Sequence, residues 1–195
     1  MNEKLHELLS RMSALEDELA IALHDQESRM FFKIRGKRIE FDSAVRQEHQ
    51  RLKTGFFHWL TASRPQNLLT GPIIYAMIFP LALIDLSISC YQALCFPIYR
   101  IAKVRRADYI VLDRQYLDYL NRFEKFHCTY CAYAAGLIAY CTEIVARTEQ
   151  YFCPIKHARK MLGNHARYAQ FLDYGDALDY EARLEQFRLA LAKKE

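Results

Sequence analysis

The sequence predicts an all-α protein: a helical cytoplasmic domain joined to one bent membrane segment, which is either re-entrant or single-span. Three patterns predict this class. Apolar residues recur every three or four positions near both ends of the chain, a long apolar run lies between them, and helical spacing resumes after that run. The expected parts are an N-terminal amphipathic region (1–62), a membrane segment with basic flanks (63–106) and a C-terminal helical domain (107–195).

The first segment carries a heptad pattern of apolar residues separated by charged ones. Its apolar positions are Leu5, Leu8, Met12, Leu15, Leu19 and Ala22. This spacing predicts an amphipathic helix, which either packs on its own domain or pairs as a short coiled coil. The stretch FFKIRGKRIEF (31–41) alternates apolar and basic residues, a pattern compatible with a small hairpin or a basic loop. A further polar helix is expected through 42–60.

The run LLTGPIIYAMIFPLALIDLSISCYQALCFPIY (68–99) contains one charged side chain, Asp85. A transmembrane helix needs about 20 apolar residues, so this run is long enough to enter lipid. Basic residues are denser after it, which predicts a cytoplasmic C-terminal side. Because the N-terminal part is also basic, we expect the run to turn within the bilayer, with bends at Pro72, Pro80 and Pro97. A single tilted span is the alternative. Asp85 is expected to bind amides that proline leaves unpaired, or to reach the headgroups.

Charge and cysteine content indicate where the protein works. The first twenty residues are charged throughout and lack the apolar core of a signal peptide. We therefore expect the inner membrane, with the soluble parts facing the cytoplasm, where the six cysteines stay reduced. The expected partners are the lipid bilayer and a membrane protein or a second copy of the chain. Nucleic acid is not an expected partner, because no binding motif for it is found.

Helical spacing continues along the second half of the chain. It runs from about Tyr109 to Phe152, and Pro154 should end that helix. A second helix is expected in 155–172. A last helix is predicted from apolar residues at heptad spacing, namely Ala177, Tyr180, Leu184, Phe187 and Leu191.

The stretch EKFHCTYC (124–131) places potential metal ligands three and four residues apart on one helix face. They are Glu124, His127, Cys128 and Cys131. Thiolate and imidazole are ligands that zinc and iron prefer, and a carboxylate can complete the set. Cys153 and His157 form a second group beside Pro154. The sequence therefore predicts a metal site that holds zinc or an iron–sulfur cluster.

Geometry limits how these two groups can meet. If residues 128–153 form one helix, the groups lie about 37 Å apart. They meet only if the chain turns between them, with Gly136 as a candidate breaker, or if two protomers join. The leading alternative is that the cysteines pack as small hydrophobes. A redox dithiol, a b-type haem on His127 or His157, a di-iron carboxylate site and a Cys153–His157 nucleophile and base pair also remain open.

These patterns predict a membrane-anchored protein of the cytoplasmic face that binds a metal or cluster through Cys and His. Its use would be electron transfer, redox sensing or maturation of a membrane complex. Two alternatives stay open. One is a non-enzymatic membrane scaffold or assembly protein that acts through its terminal heptad helices, and the other is a thiol-dependent membrane enzyme.

Overall fold

The computed structural model describes residues 32–35, 38–53 and 64–192, together with positions 11, 14, 15, 18, 19, 21, 22, 55 and 58. Within these residues the chain is mostly helical, with one two-stranded hairpin, which confirms the predicted helical class. The chain divides into two compact units, one of residues 1–54 with 116–121 and one of residues 55–115 with 122–195. The three-part division expected from the sequence stays a prediction, as does the N-terminal coiled coil, most of which falls outside the described residues.

The first unit contains the hairpin and one short helix. Strand β1 (Phe32–Arg35) pairs antiparallel with β2 (Arg38–Phe41), so the described residues of this stretch form the hairpin that was one of its two expected forms. Helix α1 (Ser43–Arg51) follows. The His49 ring packs edge-on against Tyr119, with ring centroids 5.1 Å apart. This contact joins α1 to the short segment 116–121.

The apolar run forms a nearly continuous helix in the second unit. Helix α2 (Pro65–Ala76) and helix α3 (Ile78–Ile98) are separated only by Met77, which keeps right-handed helical angles (φ −62°, ψ −11°). Pro80 lies in the first turn of α3, where its missing N–H breaks no bond that the helix needs. Pro72 and Pro97 lie inside α2 and α3, so the helical path of residues 65–98 shows no reversal of the chain, and a re-entrant path through a bilayer stays a prediction.

The long helix α4 (Arg122–Phe152) is unbroken over 31 residues and ends before Pro154, as predicted. It begins thirteen residues later than expected, because residues 99–121 form a linker with short 3-10 turns at Arg106–Asp108 and Arg114–Tyr116. Gly136 does not break the helix. A Cβ atom at Gly136 would lie 2.5 Å from the Tyr109 carbonyl oxygen, so glycine allows the linker backbone to touch the helix.

Helices α3 and α4 run parallel. Asp85 contacts Tyr133 and Gln92 contacts Tyr140, so contacts advance along both helices together. The linker runs back the other way in the groove between them. The first residues of the linker contact the end of α3. Further along the linker, Arg106 contacts Asp85, which lies seven residues nearer the start of α3 than Gln92 does. The buried core of this unit comes mainly from α3 and α4, and includes Phe96, Leu137, Tyr140 and Ile144.

The chain after Pro154 differs from the prediction. No α-helix forms in 155–172; instead Ile155 pairs with Leu172 in a parallel bridge, and a 3-10 turn covers Ala166–Gln170. Gly163, with a positive φ of 74°, lies in the intervening loop, where a helix would need negative φ. Helix α5 (Tyr180–Leu191) forms where the last heptad pattern predicted one, and packs against α4.

Candidate functional site: an apolar helix with a polar inner face

Two helical stretches, Pro65–Ile98 and Arg122–Phe152, are long and apolar enough to cross a membrane by length and composition. In the first, only 6% of the most apolar 18-residue stretch is buried. The outward face of α3 is a continuous apolar stripe at helical spacing. We call it the outer stripe; its residues are Phe79, Leu83, Leu86, Cys90 and Leu94, all exposed.

The charged and amide side chains of α3, Asp85 and Gln92, lie on the opposite, inner face, whereas Ser87 is exposed. Asp85 accepts two hydrogen bonds from Arg106 of the linker, from Nη2 to Oδ2 at 2.6 Å and from Nε to Oδ1 at 3.2 Å. The Tyr133 hydroxyl of α4 donates to the same carboxylate at 3.0 Å. The hydrogen bond to Asp85 raises the pKa of the Arg106 guanidinium above its ordinary value. The carboxylate therefore joins two helices and the linker, a role that neither expectation for Asp85 included.

Gln92, about two helical turns further along α3, is 6% exposed and forms three hydrogen bonds. Its side-chain oxygen accepts from the Val104 N–H at 2.6 Å, and its amide nitrogen donates to the Val104 carbonyl at 3.3 Å. The same nitrogen donates to the Tyr140 hydroxyl at 2.8 Å. The side chain pairs with the linker backbone as a neighbouring β-strand would, so a buried polar group is fully used.

Helix α4 resembles α3, because its charged side chains contact the rest of the protein and its exposed side is uncharged over residues 131–145. Glu143 accepts hydrogen bonds from Arg147 and Arg167, both at 2.8 Å, and Arg147 also donates to the Ala102 carbonyl at 2.5 Å. Burial raises the pKa of the nearby Tyr109 hydroxyl. The exposed positions of α4 between 131 and 145 are uncharged: Cys131, Ala135, Ile138, Ala139, Thr142 and Val145. The Thr142 hydroxyl donates to its own helix, at the Ile138 carbonyl.

A cleft of about 310 Å³ lies beside the junction of α2 and α3. Its lining residues are Tyr75, Ile78, Leu112, Phe126, Thr129, Tyr130 and Tyr133. The polar atoms of these side chains are already paired: Tyr130 donates to the Ile74 carbonyl at 2.6 Å, and Thr129 donates to the Lys125 carbonyl at 2.8 Å. The surface of the cleft is therefore made of ring faces and methyl groups, which suit an apolar ligand.

The predicted metal ligands occupy separate places. The Tyr75 hydroxyl lies within hydrogen-bonding distance of both ring nitrogens of His127, 2.9 Å from Nε2. Cys128 is half-buried and Cys131 is exposed. Cys153 is exposed beyond the far end of the unbroken α4, and the exposed His157 stacks on Tyr168. Helix α4 therefore does not turn to bring the two groups together.

Among the described residues, no group of three or more His, Cys, Asp or Glu side chains is arranged to hold a metal ion. The site of Glu124, His127, Cys128 and Cys131, with Cys153 and His157, stays a prediction that this geometry does not support. Zinc and iron content of the purified protein is the measurement that checks it. Comparison of the chain with protein-family models, with curated proteins and with solved structures finds no match.

Sequence reasoning missed the cluster of Asp85, Arg106 and Tyr133. A signal for it was present, because Asp85 is the one charged residue in the apolar run. A lone carboxylate in such a run needs a cation. The nearest basic residues follow the run, but their spacing gives no register, since the linker that carries Arg106 is not helical.

Proposed function

We propose that this chain is a membrane-surface protein of the inner membrane, in which α2 and α3 lie along the bilayer interface and a non-enzymatic scaffold is built on them. The observation that carries the proposal is the distribution of side chains on α3, with charged and amide groups toward the protein and apolar groups toward the outside. Its charged and amide side chains, Asp85 and Gln92, face inward, and its outer stripe is apolar and exposed. In water this arrangement would leave a long helix face unburied, at a cost of about 25 cal/mol per Å² of apolar surface.

The linker favours an in-plane helix over a helix that crosses the bilayer. Helix α3 is 21 residues long, or about 31 Å, which would match the hydrocarbon core. In a crossing helix, however, the exposed Lys103 and Arg105 beside Gln92 would lie at the depth of the hydrocarbon. A charge there costs about 2.5–3.5 kcal/mol or more, and irregular backbone is not tolerated against lipid. An in-plane helix leaves the linker in water.

Length supports the same orientation. The helical stretch Pro65–Ile98 has 34 residues, about 51 Å, which is much longer than the thickness of the hydrocarbon core. A helix that lies in the interface has no such limit, because its apolar face enters the headgroup and acyl boundary along its whole length. Its polar inner face then binds α4 and the linker, and the charged linker stays in water.

Native cysteines test the lipid contact of the outer stripe. We would prepare two variants of the full chain that keep a single cysteine, Cys90 in the outer stripe or Cys153 beyond α4. Both thiols are exposed in the protein itself. In membranes, Cys90 should resist a water-soluble maleimide while Cys153 reacts. Equal, rapid labelling of both thiols in the membrane-bound protein would contradict the proposal.

Orientation needs a separate experiment. Gln66 is exposed at the start of the helical stretch, and the exposed Cys153 follows Phe152, whose ring packs on Tyr99 at the other end. Two variants would each keep one cysteine, Gln66→Cys or the native Cys153. In sealed vesicles an in-plane helix places both thiols on one side, so an impermeant reagent labels both or neither. Labelling of only one from outside would show that the helix crosses the bilayer.

A further inference from the structure

Helix α3 ends in a hydrogen-bonded motif that normally uses glycine. The Ile101 N–H donates to the Phe96 carbonyl at 2.9 Å, and the Arg100 N–H donates to the Pro97 carbonyl at 3.2 Å. This pair of bonds is the Schellman motif, which needs a left-handed residue after the helix. That residue is Arg100, with φ of 57°. Ile101 and Phe96, 5% and 0% exposed, supply the apolar contact that accompanies the motif.

Arginine is a costly residue at this position. A side chain at left-handed angles costs about 1–2 kcal/mol relative to glycine, which adopts them without a Cβ clash. The chain uses glycine at two other left-handed positions, Gly163 and Gly175. Within the described part of the structure, no hydrogen bond, ion pair or ring contact involves the exposed Arg100 side chain, so no internal contact offsets this cost.

The surroundings of Arg100 are those of a membrane interface. The preceding residue, Tyr99, packs its ring against Tyr151 and Phe152, with ring centroids 5.0 and 5.2 Å apart. Tyr99 and Phe152 remain 38% and 47% exposed. Half-exposed aromatic rings at the end of an apolar helix are typical of the headgroup level, where the ring is buried and the hydroxyl is hydrated.

We propose that Arg100 binds the phosphate of an anionic phospholipid, and so fixes the C-terminal end of α3 at the headgroup level. This inference rests on the proposed membrane-surface function. Arginine presents several N–H donors in a plane and pairs with phosphate through two hydrogen bonds at once. The Schellman motif holds the backbone of Arg100 in place, so its Cα–Cβ bond leaves the helix end in a fixed direction.

Arg100→Gly separates lipid binding from folding. The full chain, purified in mild detergent, would be mixed with vesicles of phosphatidylcholine alone or with added phosphatidylglycerol. We expect Arg100→Gly to melt at the same or a higher temperature than wild type, because glycine relieves the left-handed strain. Its affinity for the anionic vesicles should fall about fivefold, the effect of one basic residue near a charged surface. Arg100→Lys should keep only part of that affinity, because an ammonium supplies the charge but not the planar pair of hydrogen bonds.

Arg159→Gly is the matched control, since Arg159 is exposed in the loop after Pro154 and its loss changes net charge equally. An equal fall in this control, a lower melting temperature of Arg100→Gly, or unchanged binding of Arg100→Gly would each overturn the inference. If wild type binds neither vesicle, the proposed function itself fails. If wild type and Arg100→Gly bind both vesicles equally well, the membrane-surface function survives and only the phosphate contact is lost.

Discussion

Gly136 shows how one residue determines where the linker packs. The Cβ atom of any other residue would lie 2.5 Å from the Tyr109 carbonyl oxygen and 2.9 Å from the Ile110 Cα. Both are backbone atoms, so neither can move aside as a side chain would. We expect Gly136→Ala to lower the free energy of unfolding by about 1–3 kcal/mol, as overpacking does in other cores. Denaturant titration in detergent, followed by circular dichroism, measures it.

Gly71→Ala is the matched control for that substitution. Gly71 also lies inside a helix, α2, but a Cβ atom there meets nothing within 4 Å. The same change should therefore stabilise α2 by about 0.5–1 kcal/mol, because alanine is the better helix former. Equal effects at Gly71 and Gly136 would refute the close approach of the linker.

Gln92 should be the most sensitive polar residue of α3. Gln92→Met keeps the size of the side chain but leaves the Val104 N–H and the Tyr140 hydroxyl without this partner. Each buried polar group that loses its partner costs about 1–3 kcal/mol, so we expect a loss of about 2–4 kcal/mol in the free energy of unfolding. Tyr140→Phe removes only the hydroxyl and should cost less. A Gln92→Met protein as stable as wild type would contradict the role assigned to this side chain.

Asp176 gives a pH-dependent contact outside the membrane-facing helices. Arg183 donates to its carboxylate at 2.6 Å and lowers the pKa of Asp176 below the ordinary value. Because the folded pKa is the lower one, the contact stabilises fully above the unfolded pKa and is lost as pH falls through the folded pKa. Carboxyl ¹³C NMR titration should show that Arg183→Gln raises the pKa of Asp176. Arg159→Gln, which touches no carboxylate there, should leave it unchanged.

At the scale of the elements, the ion pair of Asp85 and Arg106 ties the linker to α3. Their side chains are 15% and 48% exposed, so water screens the pair in part. A double-mutant cycle with Asp85→Asn and Arg106→Gln should give a coupling energy of about 1 kcal/mol. Unfolding of the four proteins in denaturant supplies the values. Additive effects, with no coupling, would mean that the pair does not hold the linker.

Periodicity predicted the helices well where one face packs against a neighbouring helix. The 31-residue α4 ends where Pro154 predicted, and α5 lies on the last heptad pattern. The part of the linker from Tyr109 to Asn121 escaped prediction because its apolar spacing resembles a helix, although the backbone of Tyr109 and Ile110 packs against Gly136 of α4. Its conformation depends on partners distant in sequence, which no local pattern contains.

For the molecule as a whole, composition predicted an apolar helical stretch but not its orientation. Hydropathy reports that residues 68–99 avoid water, and it cannot report that Asp85 and Gln92 face a charged linker. Likewise, helical spacing places Glu124, His127, Cys128 and Cys131 on one face, but ligand distances depend on rotamers and on neighbours such as Tyr75. Those distances are therefore available from the structure only.

The outer stripe should determine whether the whole protein stays on the membrane. Leu83 and Leu86 are each 64% exposed, so lysine at both positions disturbs little of the core. Losing two leucines from the lipid contact should reduce the partition of the protein into vesicles by about tenfold or more. Flotation of the full chain with vesicles measures the bound fraction.

Leu162→Lys supplies the control, because Leu162 is 86% exposed but belongs to the loop after Pro154 and not to α3. This variant should float with the vesicles as wild type does. Circular dichroism should show the same helix content in all three proteins, since the replaced side chains make few internal contacts. If Leu83→Lys with Leu86→Lys floated as well as Leu162→Lys, the apolar face of α3 would have to be covered by protein instead of lipid.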